Sequence, residues 1–248
     1  NYALEKVVDA AEIELADAVL EIGAGLGSLT RFLARASRRV VAVELDQHLI
    51  PILESVLGSE ANVELVYGDI LKLDPSRMIL TDGYLVVANI PYYITSAIIR
   101  HLLVSIRKPK RLVLTIQQEV AQRICAPAGD LSLLALSVQV YGQPRIVAHI
   151  PAGAFYPPPK VDSAVIRVDL YPQPIIPDDQ LDTFFKLAKA GFGQKRKMLR
   201  KSLSAGLGWP SERGERLLIE CGLDPTRRAE TLSLDEWRDL TARYLAGK

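Results

Sequence analysis

Apolar residues follow two rhythms along this chain. In the first part they form short continuous runs at 19–22, 39–43, 63–66, 84–88 and 111–116. Between these lie segments with helical spacing, such as Leu29, Phe32 and Leu33, or Leu49, Ile52, Leu53 and Val56. Short apolar runs alternating with amphipathic helices predict parallel strands covered on both faces. Leu4, Val7, Val8 and Ala11 predict a first helix over 2–13, and further helices are expected at 118–126 and 131–140. Two more strands, at 144–149 and 161–170, follow with little helix between them, which suits an antiparallel addition at the sheet edge. Then the rhythm changes. Tyr171-Pro172-Gln173-Pro174-Ile175-Ile176-Pro177 holds three prolines in seven residues, a stiff extended connection. Beyond it only helical spacing remains, over 178–192, 195–206, 211–221 and 233–245. The expected fold is an α/β domain with a Rossmann-like sheet over 1–173 and a small all-helical domain over 177–248.

Composition narrows the function classes. The net charge of +1 rules out a bulk polycation, so nucleic-acid binding would need a local patch. Such a patch exists. No acidic residue occurs from Thr183 to Ser211, while Lys186, Lys189, Lys195, Arg196, Lys197, Arg200 and Lys201 all fall there. Charge runs are most often solvated helix faces. Seven cations without an anion in a near-neutral chain favour phosphate contact once a base-directed site accompanies them. Gly191 and Gly193 are expected to interrupt the helix there. Cys125 and Cys221 stand far apart without metal-ligand neighbours and read as buried thiols in a reducing compartment. No apolar run reaches the ~20 residues that span a bilayer, and no basic-then-apolar leader opens the sequence. A cytoplasmic protein with no metal site and no membrane partner is expected.

Candidate chemistry gathers in two stretches. Asn89-Ile90-Pro91-Tyr92-Tyr93 directly follows the 84–88 run, at the carboxyl end of a strand, where open α/β sheets bind ligands. Asn89 offers an acceptor and a donor, Pro91 has a fixed φ and no N–H, and two aromatic faces follow. The set suits gripping the exocyclic amine of a planar base while a ring stacks on it. It also suits a plain strand-ending turn with packed tyrosines. The second stretch is Glu21-Ile22-Gly23-Ala24-Gly25-Leu26-Gly27-Ser28, between a strand and a helix. Glycines let backbone approach a ligand closely, and Glu44, 21 positions after Gly23, could take both hydroxyls of a ribose. A dinucleotide loop would want glycine where Ser28 stands. The spacing looks more like an S-adenosylmethionine loop, and no hydride-site His or Lys supports a dehydrogenase. Asp69, ending the third strand, suits either an adenine contact or a turn.

The glycine loop together with Asn89-Ile90-Pro91-Tyr92 resembles the adenine-N6 methyltransferases, and the added Tyr93 resembles the ribosomal RNA adenine N6,N6-dimethyltransferases. Three further runs carry the likeness to the small-subunit, KsgA-type branch of that family. They are Phe155-Tyr156-Pro157-Pro158-Pro159-Lys160-Val161-Asp162-Ser163-Ala164-Val165, then Gly191 through Leu203, and Gly222 through Ser233. The resemblance spans nearly the whole chain. It implies methyl transfer from S-adenosylmethionine to two adjacent adenosines near the 3′ end of small-subunit ribosomal RNA. It implies that Gly23, Gly25, Glu44, Leu45, Asp69, Ile70 and Asn89 contact the cofactor. Asn89, Pro91, Tyr92 and Phe155 would hold the target base, and Lys195, Arg196, Lys197, Arg200 and Lys201 the RNA. The partner would be that RNA or a pre-ribosomal particle, met by a monomer. The family carries Gln-Asn-Phe-Leu just before its first helix; this sequence opens at Asn1-Tyr2-Ala3-Leu4, a little past that motif. Gly129-Asp130-Leu131-Ser132 is also shorter than the family's run there.

Two rivals remain at this point. One is a large-subunit RNA adenine methyltransferase of the antibiotic-resistance type, which shares Asn-Ile-Pro-Tyr but agrees poorly with the 155–165 and 194–203 runs. The other is a non-catalytic nucleic-acid-binding assembly or transcription factor on the same fold.

Overall fold

The computed structural model describes residues 2–247. Asn1, the first residue of the opening segment compared above, lies outside them. In chain order the elements are α1 Tyr2–Ala11, β1 Ala18–Ile22, α2 Ser28–Ala36, β2 Arg39–Glu44, α3 Ile50–Leu57, β3 Val63–Tyr67, α4 Pro75–Met78, β4 Leu85–Asn89, α5 Thr95–Leu103, β5 Arg111–Gln117, α6 Gln118–Ile124, α7 Leu133–Gln139, β6 Gly142–Ile150 and β7 Ser163–Leu170. Then come α8 Leu181–Phe192, α9 Leu199–Leu207, α10 Ser211–Glu220 and α11 Leu234–Ala246.

Seven strands form one sheet in the order β3-β2-β1-β4-β5-β7-β6. β1 lies parallel to both β2 and β4, so the strand order reverses at β1. That reversal opens a crevice outside the carboxyl ends of β1 and β4, the usual ligand position in such sheets. β1 is buried along its whole length, and β4 along all but its last residue, Asn89. Burial on both faces explains why β4 up to Ala88 reads as an unbroken apolar run and β1 as one broken only by Glu21. β7 runs antiparallel to β5, with Ser163 opposite Gln117. β6, beyond it, alternates exposed and half-buried positions between its buried ends, as a one-sided edge strand does. The direction of β7 matters for the site. An antiparallel strand starts where its parallel neighbours end, so the 151–162 loop is delivered to the carboxyl edge of the sheet.

The chain divides into two compact units, one running to Gln122 and resuming at Gln143–Leu170, the other comprising Arg123–Gly142 and the chain from Tyr171 onward. The helical unit thus takes in α7, which precedes the proline-rich connection. Its core is built on Trp237, fully buried and stacked on Phe192 with ring centroids 5.9 Å apart. Gly191 does not interrupt α8, contrary to the sequence expectation. It is helical, and a Cβ there would come within 2.7 Å of the Trp237 ring, so packing explains the glycine. The helix expected from 195 starts only at Leu199. Lys195, Arg196 and Lys197 sit on the turn before it. The two cysteines are free thiols and half-buried rather than buried.

Candidate active site

Three successive bends in the left-handed region make the loop after β1: Gly23 at φ 78°, Gly25 at 58° and Gly27 at 78°. Side chains other than glycine rarely adopt such angles. The Gly23 N–H donates to the Val43 carbonyl at 2.8 Å, which ties the loop to the end of β2. A Cβ on Gly27 would press on Leu53 and Val56, whereas one on Gly25 would meet nothing within 4 Å. The loop is therefore tight against α3 on one side and open at Gly25.

Glu44 holds this loop. Its carboxylate accepts from the Gly25 N–H at 2.8 Å, from Leu45 at 2.8 Å and from Asp46 at 2.9 Å. Oε1 takes two of these bonds and Oε2 one, which leaves one accepting position, on Oε2. A single ribose hydroxyl can be accepted without disturbing the loop; taking both hydroxyls would displace a backbone bond. Leu45, next along, is an apolar side chain 57% exposed beside the loop. Asp69 is half-buried, and its Oδ1 accepts from the Leu71 N–H at 3.0 Å, an Asx turn. The turn role weighed in the sequence is real, and Oδ2, 3.9 Å from Lys72, retains accepting capacity. The Ile70 side chain is buried.

Across the crevice, the Asn89 backbone carbonyl would lie 3.7 Å from a Cβ on Gly23, so the ends of β1 and β4 stand together. Asn89 is exposed, and its side-chain amide makes no hydrogen bond among the described residues. The Pro91 carbonyl accepts from Ile94 at 3.2 Å, closing a 3-10 turn, and keeps one lone pair. Tyr92 is half-buried and Tyr93 is 83% exposed. The Tyr92 hydroxyl lies 2.6 Å from the Ser163 hydroxyl. Phe155 is half-buried and packs on the cluster that includes Val7, Val19 and Leu33. Its ring is thus engaged with the core.

In the sequence Glu21 is marked only as the leading acid of the loop. The structure shows it 1% exposed on β1, with both carboxylate oxygens lacking hydrogen-bond partners among the described residues. Burial pushes its pKa up to about 8, and the Glu44 charge adds to this. Thr30 sits beside it without a hydrogen bond of normal geometry. An acid in the middle of an apolar strand was the available signal. Asp162 and Ser163 were visible only as parts of a motif.

In the helical unit, Lys195, Arg196, Lys197 and Lys201 are exposed, and none has a carboxylate partner among the described residues. Arg200 differs: it is half-buried and pairs with Glu215 at 3.0 Å. A cavity of about 370 Å³ opens between α8 and α9, lined by Lys186, Lys189, Gln194 and Ser202 among others. Among the described residues no group of three or more metal-ligating side chains occurs, and no helix is long and apolar enough to cross a membrane.

A sheet of this order, with a glycine loop leaving β1, an acid ending β2 and Asn-Ile-Pro-Tyr leaving β4, defines a Rossmann-like class I methyltransferase. The particular assignment comes from comparison with known proteins. Residues 1–245 match the ribosomal RNA adenine dimethylase family, and the chain belongs to it. A ribosomal RNA small subunit methyltransferase A from Dehalococcoides mccartyi is 46% identical over 97% of this chain and 83% of its own. One of the same name from Alkaliphilus metalliredigens is 40% identical over 98% and 87%. Among solved structures, a dimethyladenosine transferase from Plasmodium falciparum superposes with a TM-score of 0.87 at 26% identity, covering 99% of this chain and 96% of that one. The 23S ribosomal RNA methyltransferase ErmE gives 0.78 at 27%, covering 98% and 97%. The family's cofactor is S-adenosylmethionine.

Proposed function

We propose that this protein transfers methyl groups from S-adenosylmethionine to N6 of two adjacent adenosines near the 3′ end of small-subunit ribosomal RNA, giving N6,N6-dimethyladenosines. The observation that carries the reading is the unpartnered Asn89 amide, on the residue that faces the glycine loop at the point where strand order reverses. Glu44, Asp69 and Tyr92 each hold a bond within the fold, whereas the Asn89 amide holds none among the described residues. The small-subunit substrate is favoured by relatives at 40–46% identity that bear that name. The reaction takes place in the cytoplasm, on the RNA or its pre-ribosomal particle, with one copy of the protein acting alone.

The residues present suit the cofactor. The backbone at Gly25 is open, Glu44 retains one acceptor, and Leu45 offers an apolar surface. Glu44 would take a ribose hydroxyl and Asp69 the adenine amine. When bound, S-adenosylmethionine supplies an activated methyl group. The protein's own contribution is alignment. The N6 lone pair of adenine is delocalised into the ring, so the amine is a poor nucleophile. The Asn89 side-chain oxygen and the remaining lone pair of the Pro91 carbonyl accept its two hydrogens. This favours a pyramidal nitrogen whose lone pair projects away from the ring. Tyr92 stacks on the base, which has left its helical context to reach the pocket. No ionised side chain is needed for attack. Lys195, Arg196, Lys197 and Lys201 contact phosphates, and Arg200 serves mainly its own helices.

The test is transfer of labelled methyl to ribosomal subunits from cells lacking this modification. Incorporation into two adjacent adenosines of the small subunit is expected. Incorporation into large subunits instead would transfer the assignment to the antibiotic-resistance type, and none into either would favour a non-catalytic binding protein.

A further inference from the structure

Two neighbouring residues at the start of β7 hold both aromatic candidates of the target-base site. Ser163 is fully buried, so its hydroxyl has no access to water, and it meets the Tyr92 hydroxyl at 2.6 Å. The two are 71 positions apart in sequence. Asp162 precedes it. Its carbonyl accepts from the Gln118 N–H at 3.1 Å, fixing this point to the end of β5. Its carboxylate Oδ1 accepts from the Ala152 N–H at 2.9 Å, closing the loop that carries Phe155. Phe155 itself follows a 3-10 turn over Ala152–Ala154 and donates its N–H to the Ala152 carbonyl at 3.2 Å. One dipeptide, anchored to a central strand, therefore reaches Tyr92 with one side chain and the Phe155 loop with the other.

We infer that Asp162 and Ser163 are positioning residues for methyl transfer: Ser163 fixes where the far end of the Tyr92 ring lies, and Asp162 sets the loop bearing Phe155. The inference rests on the reading of Tyr92 as the base-stacking residue and of Phe155 as part of the target-base site. Among the described residues Ser163 is the partner of the Tyr92 hydroxyl, and a half-buried ring whose far end is untethered can swing about its Cα–Cβ bond. Correct ring orientation is worth rate rather than affinity, because small misplacements at a reacting centre are costly. The hydroxyl pair also bears on Tyr92→Phe. Keeping the ring face alone is insufficient if the ring is aimed by its hydroxyl.

The experiment measures single-turnover methyl transfer at saturating cofactor and small-subunit particles for Tyr92→Phe, Ser163→Ala and the double variant. Each single change is expected to slow transfer roughly threefold to tenfold, the span of one neutral hydrogen bond. Cofactor and particle affinities should stay the same, and the double variant should be no slower than the slower single one. Asp162→Ala should slow transfer similarly, and Asp162→Asn, which keeps the accepting oxygen, should restore it. Melting curves accompany every variant. Should Ser163→Ala fail to fold, Tyr92→Phe tests the same bond from its half-buried side. Multiplying effects in the double variant would overturn the inference, as would wild-type rates in both singles. Tyr92→Ala separates this from failure of the site itself. If Tyr92→Ala is also fully active, the stacking role is wrong; if it alone is slow, only the positioning is.

Discussion

The carboxyl edge of the sheet and the basic turn before α9 treat their polar groups in opposite ways. At the sheet edge nearly every one is tied down: Glu44 accepts three backbone N–H bonds, Asp69 closes a turn, and Tyr92 meets Ser163. Among the described residues the exposed side chain left unpaired there is Asn89, and the buried one is Glu21. On the turn, Lys195, Arg196 and Lys197 are exposed and have no carboxylate partner among the described residues. The difference suits the tasks proposed for them. Aligning a weakly nucleophilic amine demands fixed geometry, since misplaced groups lose most of their effect. Binding a phosphate backbone demands charge, and long unpaired cations provide it without fixed geometry. Substitutions should accordingly act on rate in one region and on salt-dependent affinity in the other.

The largest effect expected is from Asn89→Ala. Removing an oriented polar group that matters most in the transition state slows a reaction by roughly 10²–10³. Transfer should fall by that order while particle binding persists. Next comes Glu44→Ala, for which calorimetry should show cofactor binding weakened by about 1.5–3 kcal/mol, the worth of a hydrogen bond to a charged group. Because Glu44 also clamps the glycine loop, the same variant should melt earlier even without cofactor.

A smaller effect, sharpening the contrast within the edge itself, concerns Glu21. Its folded-state pKa of about 8 lies above the ordinary 4.5 because the group is buried. The folded chain therefore holds a proton that the unfolded chain has lost between those values. Stability declines as pH rises across that window and levels above it. Glu21→Gln should remove the decline, so its melting temperature should gain on wild type from about pH 5 to pH 8. A constant difference across that range would mean that Glu21 is ionised in the fold. The mildest change is Lys195→Ala, Arg196→Ala and Lys197→Ala combined. The log–log salt dependence of RNA binding should flatten by roughly 0.7–0.9 for each phosphate no longer neutralised. Cofactor affinity should not change, and an unaltered slope would leave the turn as a solvated surface.

Much of the sheet was legible because burial on both faces writes itself as unbroken apolar runs, as at 39–43 and 84–88. The reversal of order at β1 was not spelled out by any run, since pairing is a long-range choice. In the helical unit the periodicity carried through the real start of α9. Lys195 to Lys197 are good helix formers, but the chain leaves α8 at Gly193, and the Leu199 N–H is captured by the Arg227 carbonyl at 2.7 Å. Gly191 misled for a similar reason: glycine suggests a break, and the steric demand of Trp237 lies 46 positions away in sequence. At the site, residue types did not show which of these side chains are engaged with one another. Nothing near Glu44 in sequence reveals that Gly25 would take one of its oxygens. Nothing near Tyr92 reveals Ser163.

The division between fixed edge and free cations is tested most directly by one crossed measurement. Single-turnover methyl transfer and particle affinity are determined together for wild type, Asn89→Ala and the Lys195, Arg196, Lys197 triple variant, at saturating S-adenosylmethionine. Asn89→Ala is expected to lose the rate and keep the affinity, and the triple variant to lose affinity but recover the rate at saturating particles. Full activity in Asn89→Ala, or loss of the same quantity in both variants, would contradict that division.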